Sequence, residues 1–412
     1  MEQTDPLIAI LGIGTAVPAY RINQADTAQR LAEALGDSSN SARWAKRIFK
    51  QCGVETRYTC EPNLLEAAGQ CRYFPHTTHE AAPSSAPSTA ERMRTYKREV
   101  VPLGLAAASK ALKDCEAVAS EITHLVTVSC TGQFLPGLDA VLTEQLGLAA
   151  TVNRIPLNFL GCAAGLKAII LSRQIVAARP SAKVLIVCVE LCTLHIQPSS
   201  KREALFATSF FGDGASACVV GAAEPHHKHM FQLGNDHSVL LPCSSSEMVW
   251  EVGDYGFDLY LSPNIPKLLG SFIPAEVGRL LSGAAKPELW AIHPGGKGII
   301  DTLQEVFGLE DAQTQPSRTV LRDYGNVSSA TLLFVLDEMR SGLTGSARVS
   351  PPVSLDSSAP LSERADQAQP VEGIALAFGP GLTAEMIQLT YLPSIKALVG
   401  KALEQHSGAA LV

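Results

Sequence analysis

Three segments of this 412-residue chain carry side chains suited to thiol chemistry, and each is ambiguous when taken singly. Cys162 lies in PLNFLGCAAGLKAIILSRQI, where a strand-like stretch ends at a tight Gly-Cys turn and a long apolar helix begins. That position puts the sulfur at a helix N-terminus, whose free amides and dipole stabilise a thiolate. Gly161, Ala163, Ala164 and Gly165 let backbone and substrate approach closely. Against this, cysteine in an apolar run is more often a small buried hydrophobe, and the turn only brings the two readings level. His293 ends the strand-like ELWAIH ahead of Pro294 and two glycines, a strand tip that faces the crevice of an α/β sheet. A lone histidine there is more often a satisfied core or loop residue. Asn326, in RDYGNVSSATLLFVLDEM, also has two readings. Either Asn326 or Ser328 caps the apolar helix that follows, or the Asn326 amide joins His293 in donating two hydrogen bonds to a developing oxyanion.

The elements that must position these residues alternate between amphipathic helices and short buried strands. Helices are expected at 103–112, over LKAIILSRQIVAA and over ATLLFVLDEMR (330–340). Strands are expected over HLVTVSC, KVLIVCVEL, ELWAIHP and GIALAF. This alternation predicts an α/β fold whose sheets are covered by helices, and its recurrence predicts two related halves. IAILGI (8–13) reads as a buried strand. Its Gly12-Ile13-Gly14 lacks the third glycine of a dinucleotide fingerprint and is followed by Pro18, so no nucleotide site is expected. Two Ala/Ser/Pro-rich stretches, 79–89 and 350–370, are expected to be exposed loops, the second an insertion within a domain.

Composition narrows the function classes. With 46% hydrophobic and 18% charged residues, the chain can bury a large core and is long enough for two or three domain-sized units. A net charge of -7 and a pI near 5.8 argue against a general affinity for nucleic acid. No run of about 18 apolar residues is evident, so no membrane span is expected. The opening MEQTDPLIAILGIG lacks the basic region of a signal peptide. Of the ten cysteines, Cys130, Cys188, Cys192 and Cys218 fall in apolar strand-like segments, and no Cys/His cluster has zinc-site spacing. A reducing, cytoplasmic setting without a metal is the expectation.

Together the segments are far more specific than any one alone. NFLGCAAG, WAIHPGGKGIID, DYGNVSSAT and AFGPGLTAE stand in the order and spacing of the chalcone synthase-like family, the type III polyketide synthases. GTAVP, VELCTLH (189–195) and FFGDGASACVVG (210–221) extend the resemblance over about 8–392. The resemblance implies a thiolase-like fold with a duplicated αβαβα core. The half at 1–225 would carry the nucleophilic cysteine, and the half at 226–412 the histidine and asparagine. It further implies a homodimer that condenses malonyl-CoA units onto an acyl-CoA starter, with no acyl carrier protein and no cofactor beyond the CoA thioesters themselves.

By the same resemblance, Cys162 takes the starter as a thioester and His293 forms an ion pair that keeps it thiolate. His293 and Asn326 would orient malonyl-CoA and stabilise the enolate left by decarboxylation. Phe211 matches the gate between CoA tunnel and cavity, and a second gate position falls at Leu259, where relatives often carry phenylalanine. Gly379 and Pro380 match the loop at the cavity floor. Leu135, Ser328, Cys130, Cys192 and His195 match further cavity positions, the last three at places where chalcone synthases carry threonine. Trp250 falls near a position that is often small and would fill the cavity. Arg47, Lys46 and Lys50, in RWAKRIFKQCGVETRY, resemble the basic segment that meets the CoA phosphates, with Gln51 at a usual lysine position.

A small thiol is less polar than threonine and suits an aliphatic chain, and the Ala/Ser/Pro insertions point to a microbial member, fungal or bacterial. The expectation is therefore a fatty acyl-CoA starter and pyrone- or resorcinol-type products. The alternatives are a chalcone- or stilbene-type enzyme with an aromatic starter and a carrier-protein-dependent ketoacyl synthase. Two others fit less well. A non-catalytic thiolase-fold partner would have lost one of the three residues, and a papain-like hydrolase has a different signature around its cysteine.

Overall fold

A strand buried at every position needs cover on both faces, and β1 (Ile8–Ala16) is buried at all nine. The computed structural model describes residues 6–75, 85–345 and 369–395. After β1 come β2 (Tyr20–Asn23), α1 (Gln24–Ala34), α2 (Asn40–Gln51), β3 (Thr56–Thr59) and α3 (Thr89–Asp114). Then follow β4 (His124–Ser129), α4 (Leu138–Gln145), β5 (Asn153–Asn158), α5 (Ala164–Ala178), β6 (Val184–Leu191), α6 (Arg202–Phe210) and β7 (Asp213–Ala222). The second part holds β8 (Lys228–Leu240), β9 (Met248–Gly253), β10 (Gly256–Leu261), α7 (Ile265–Leu281), β11 (Leu289–Ile292) and α8 (Lys297–Phe307). It closes with α9 (Asp311–Tyr324), α10 (Thr331–Thr344), β12 (Val371–Gly379) and β13 (Thr383–Ser394).

Nine strands join in the order β11-β12-β13-β8-β1-β7-β6-β4-β5. The pairs near the middle are antiparallel, while β4–β5, β4–β6 and β11–β12 are parallel. The two parts meet at a short seam, where Ala9 pairs with Gln232 and Ile10 with Phe231. Helices α5 and α10 share one core with residues from both ends of the sheet, among them Ile186 and Ile387, so they form the central layer. α3 covers β1, β6 and β7 from one side, and α7 and α8 cover β11, β12 and β13 from the other. β9 and β10 stand apart as a two-stranded ribbon.

This layering explains two features of the sequence. Gly14 is small because α3 crosses β1 there: a Cβ would collide with the Ala107 carbonyl and the Ala111 amide. The Gly-Ile-Gly string thus serves helix packing. Helices α5 and α10 carry broad apolar faces because they fill the central layer, and they reach the surface at Gln174, Ala178 and Gly342. By length and composition Gly161–Ala178 could cross a membrane, but most of it is buried at the centre of the fold. The two Ala/Ser/Pro-rich stretches lie mostly outside the described residues. At the end of the first, Ser88 caps α3 in a reciprocal capping box with Glu91. All ten cysteines are free and all but Cys243 are buried.

Candidate active site

Cys162 stands in a single 3₁₀ turn, Gly161–Ala163, that runs directly into α5, so its sulfur lies at the helix N-terminus. The turn demands glycine at 161: its φ is +68°, and a Cβ would strike the ring of Pro380. Burial pushes the Cys162 thiol up to about 11, with the carboxylate of Glu190 adding to the rise. The Ser328 hydroxyl, 3.7 Å from Sγ, and the Asn326 side chain pull the other way. Ser328 itself holds a left-handed backbone, φ +47°, a conformation costly for a residue with a Cβ.

His293 follows β11, its amide donating to the Leu376 carbonyl at 2.8 Å. The residue is 1% exposed, and burial pushes the imidazole down to about 3. Neither ring nitrogen has a hydrogen-bond partner among the described residues. The ion pair expected between Cys162 and His293 is therefore not present as a hydrogen-bonded contact. Desolvation favours the neutral form of each group when it is considered alone.

The capping reading of Asn326 and Ser328 does not hold: α10 begins after Ala330 with no side-chain cap, because a 3₁₀ turn at Ser328–Ala330 intervenes. The Asn326 Oδ1 accepts the Ser328 N–H at 2.8 Å, closing a local turn two residues on. That bond fixes the amide's orientation, so Nδ2 faces the Gly295 carbonyl at 3.5 Å and Cys162 Sγ at 3.9 Å. The local turn on one side aims the donor on the other.

Cys162, His293 and Asn326 line one cavity of about 360 Å³, together with Phe211, Leu259 and Pro380. A second cavity of about 340 Å³ lies beside Cys192 and His195. Phe211, Trp250 and Leu259 line both, so these three side chains form the partition. Trp250 and Leu259 face each other across the β9–β10 ribbon.

Other expected site residues fall elsewhere. Cys130 lines neither cavity; it lies beneath the catalytic turn, where its Sγ accepts the Gly161 N–H at 3.1 Å. Gly379 backs the same turn against Leu160 and Ala163. His195 stacks on Phe257 at 4.2 Å, and both its nitrogens are committed: one to the Thr131 carbonyl at 2.7 Å, the other to the Phe257 N–H at 3.0 Å. Burial pushes its imidazole down to about 3, so it meets the second cavity as a neutral ring. Leu135 is 91% exposed and lies off both cavities.

The basic residues of α2 stand outside the lining of this cavity. Lys46 and Lys50 border a different groove with Asn23 and Gln24, and Lys46 pairs with Asp37 at 3.1 Å. Arg47 is exposed and does not line the cavity. At about 100° per residue the helix turns Ile48 and Gln51 to the cavity instead, with Cys52 just beyond them. Among the described residues the cation in the cavity lining is Lys297, at the start of α8, paired with Asp301.

Glu190 was missed, although one signal marked it: it is the single charged side chain within the apolar run VLIVCVEL. It is fully buried and accepts from the Cys130 N–H at 3.0 Å, Thr131 Oγ1 at 2.8 Å and Ser329 Oγ. Burial raises its carboxyl to about 7. Among the described residues no group of three or more His, Cys, Asp or Glu side chains converges as metal ligands would.

Comparison with known proteins matches this architecture. Residues 2–225 match the N-terminal domain of chalcone and stilbene synthases, and residues 232–352 their C-terminal domain. A probable polyketide synthase 1 of Dictyostelium discoideum is 30% identical over 395 residues, 91% of this chain but 11% of that protein. The chain thus spans only a small part of that relative's length. Among solved structures, the C-terminal type III polyketide synthase domain of Steely1, a type I/III hybrid from Dictyostelium, is 28% identical with a TM-score of 0.79, over 93% of this chain and 99% of that one. PKS-I of the brown alga Ectocarpus siliculosus is 26% identical with a TM-score of 0.80, over 95% and 100%. The mixed sheet and its helical layers are the thiolase-like fold of these structures.

Proposed function

The chain belongs to the chalcone and stilbene synthase family, and we propose that it is a type III polyketide synthase that loads an acyl starter from CoA onto Cys162 and extends it with malonyl-CoA. The observation that carries this reading is the convergence of Cys162, His293 and Asn326 on one apolar cavity. Burial favours a neutral thiol and a neutral imidazole when each is considered alone. Passing the thiol proton to His293 creates both charges together, and each then offsets the other's desolvation. The thiolate attacks the starter thioester and CoA leaves as its thiol, taking up the proton. Malonyl-CoA then loses CO2, and the enolate oxygen accepts hydrogen bonds from a ring N–H of His293 and from Asn326 Nδ2. The enolate carbon attacks the Cys162 thioester, the lengthened chain departs on CoA, and the thiolate is restored.

The favoured starter is a fatty acyl-CoA, giving pyrone- or resorcinol-type products. Its support is the apolar wall, with Ile48, Phe206, Met248, Leu261 and Phe378, and the small Cys192 thiol beyond the partition. A homodimer is supported by the edge strand β5, at the end of the sheet, and by Phe159 and Leu160, exposed just after it. Ten free thiols suit a reducing, cytoplasmic setting. A second reading has the starter delivered by another protein domain, because the Dictyostelium structure is a domain of a type I/III hybrid.

The test is a product assay with malonyl-CoA and a panel of fatty and aromatic acyl-CoA starters, beside Cys162→Ala. Pyrones or resorcinols from long-chain starters, lost in the variant, support the whole reading. Reaction of aromatic starters alone removes the aliphatic preference and leaves the thiol chemistry standing. Condensation only with an added carrier-bound starter selects the second reading.

A further inference from the structure

Arg57, on β3, is fully buried, and among the described residues only one of its donor groups is used. Nη1 donates to the Phe211 carbonyl at 2.6 Å, while Nε and Nη2 have no hydrogen-bond partner among the described residues. Its guanidinium lies over the Phe49 ring, 5.9 Å from the centroid. The buried carboxylate of Asp213 acts on it electrostatically, but that carboxylate is already engaged by the Cys60 and Thr193 amides and the Thr193 hydroxyl. Burial pulls the guanidinium down to about 10, so it remains a cation near neutral pH. A buried cation with unused donors is an expensive way to fill space, and an apolar side chain of similar size would serve packing alone as well or better.

What Arg57 holds is the segment that carries Asn326. Phe211 and Asn326 form an isolated parallel bridge. In it the Asn326 N–H donates to the Phe210 carbonyl at 2.8 Å, and the Gly212 N–H donates to the Asn326 carbonyl at 3.0 Å. The bridge uses the groups on either side of Phe211 and leaves the Phe211 carbonyl pointing away from Asn326, where Arg57 takes it. The cation therefore polarises the Phe211–Gly212 peptide, whose N–H is the donor to Asn326. Phe211 also belongs to the partition between the two cavities.

We propose that Arg57 is a positioning residue which, through the Phe211 carbonyl, holds both the partition and the Asn326 amide in place for decarboxylation. The inference rests on the reading of Asn326 as an enolate donor. Two partial reactions separate it from a merely structural role: acylation of Cys162 by the starter, followed by intact mass, and release of CO2 from malonyl-CoA. Arg57→Met should slow decarboxylation about 10- to 100-fold, the cost of a small misplacement, while acylation stays near the wild-type rate and KM for malonyl-CoA is unchanged. Arg57→Lys, which keeps a donor for the carbonyl, should recover part of the loss.

The proposal is overturned if decarboxylation is unchanged in Arg57→Met. It is also overturned if both partial reactions fall together in step with the melting temperature, or if lysine recovers nothing. Should the methionine variant not fold, Arg57→Lys decides by itself: a several-fold fall in decarboxylation with acylation intact is expected, and no difference sinks the idea. Asn326→Ala, run in parallel, separates the two readings. If it slows decarboxylation and the Arg57 variants do not, only the coupling is wrong. If it leaves decarboxylation intact, the role of Asn326 fails and the coupling falls with it.

Discussion

At the residue scale, the site sets titratable groups against burial. Glu190, raised from an ordinary 4.5 to about 7, binds a proton in the fold that the unfolded chain has already lost. Its contribution to stability is full below about 4.5 and disappears as the pH rises through 7. His195 and His293, lowered from 6.5 to about 3, act in the opposite sense. Their contribution is full above 6.5 and disappears as the pH falls toward 3. Between 4.5 and 6.5 the one carboxyl offsets one of the two histidines, so these three groups leave stability rising with pH there, less steeply than the histidines alone would give. Glu190→Gln removes one side of that balance. Its melting temperature relative to wild type should climb steadily from pH 5 to 7.5, and a pH-independent offset would show that the carboxyl titrates normally.

At the element scale, the β9–β10 ribbon decides the shape of the site. A two-stranded ribbon has little stability of its own, yet this one carries both Trp250 and Leu259 into the partition. Trp250→Ala should open the cavity of about 360 Å³ to its neighbour of about 340 Å³. The expected outcome is a product profile shifted to longer chains or more malonyl additions, read by mass spectrometry, with the rate of Cys162 acylation little changed. An unaltered profile would mean that the second cavity takes no part in the reaction.

At the scale of the whole molecule, the edge strand β5 and the exposed apolar side chains after it need cover. Sedimentation equilibrium should give about twice the 43.7 kDa chain mass. Phe159→Asp with Leu160→Asp should shift the protein toward the monomer. A monomer in the unsubstituted protein would leave this edge without its proposed partner.

Much of this molecule is determined locally and was legible in the residues themselves. Runs such as KVLIVCVEL specify buried strands, LKAIILSRQIVAA a central helix, and the Gly161–Cys162 turn a sulfur at a helix start, because propensity and hydrophobic period act over a few neighbours. The order of the Cys162, His293 and Asn326 segments carried the family and with it the expected fold. What tertiary structure alone decided depends on contacts between distant segments. The face of α2 that meets the cavity shows Ile48 and Gln51 and leaves Lys46 and Lys50 in another groove. Cys130 supports the catalytic turn from beneath, where it was expected to line the cavity, and His195 spends both nitrogens on backbone groups. Glu190 gathers three donors from other strands and turns, and Arg57 reaches Phe211 across the fold. A sequence period can say that a side chain is inside. Only the packing of one element on another, within an ångström or so, says what it finds there.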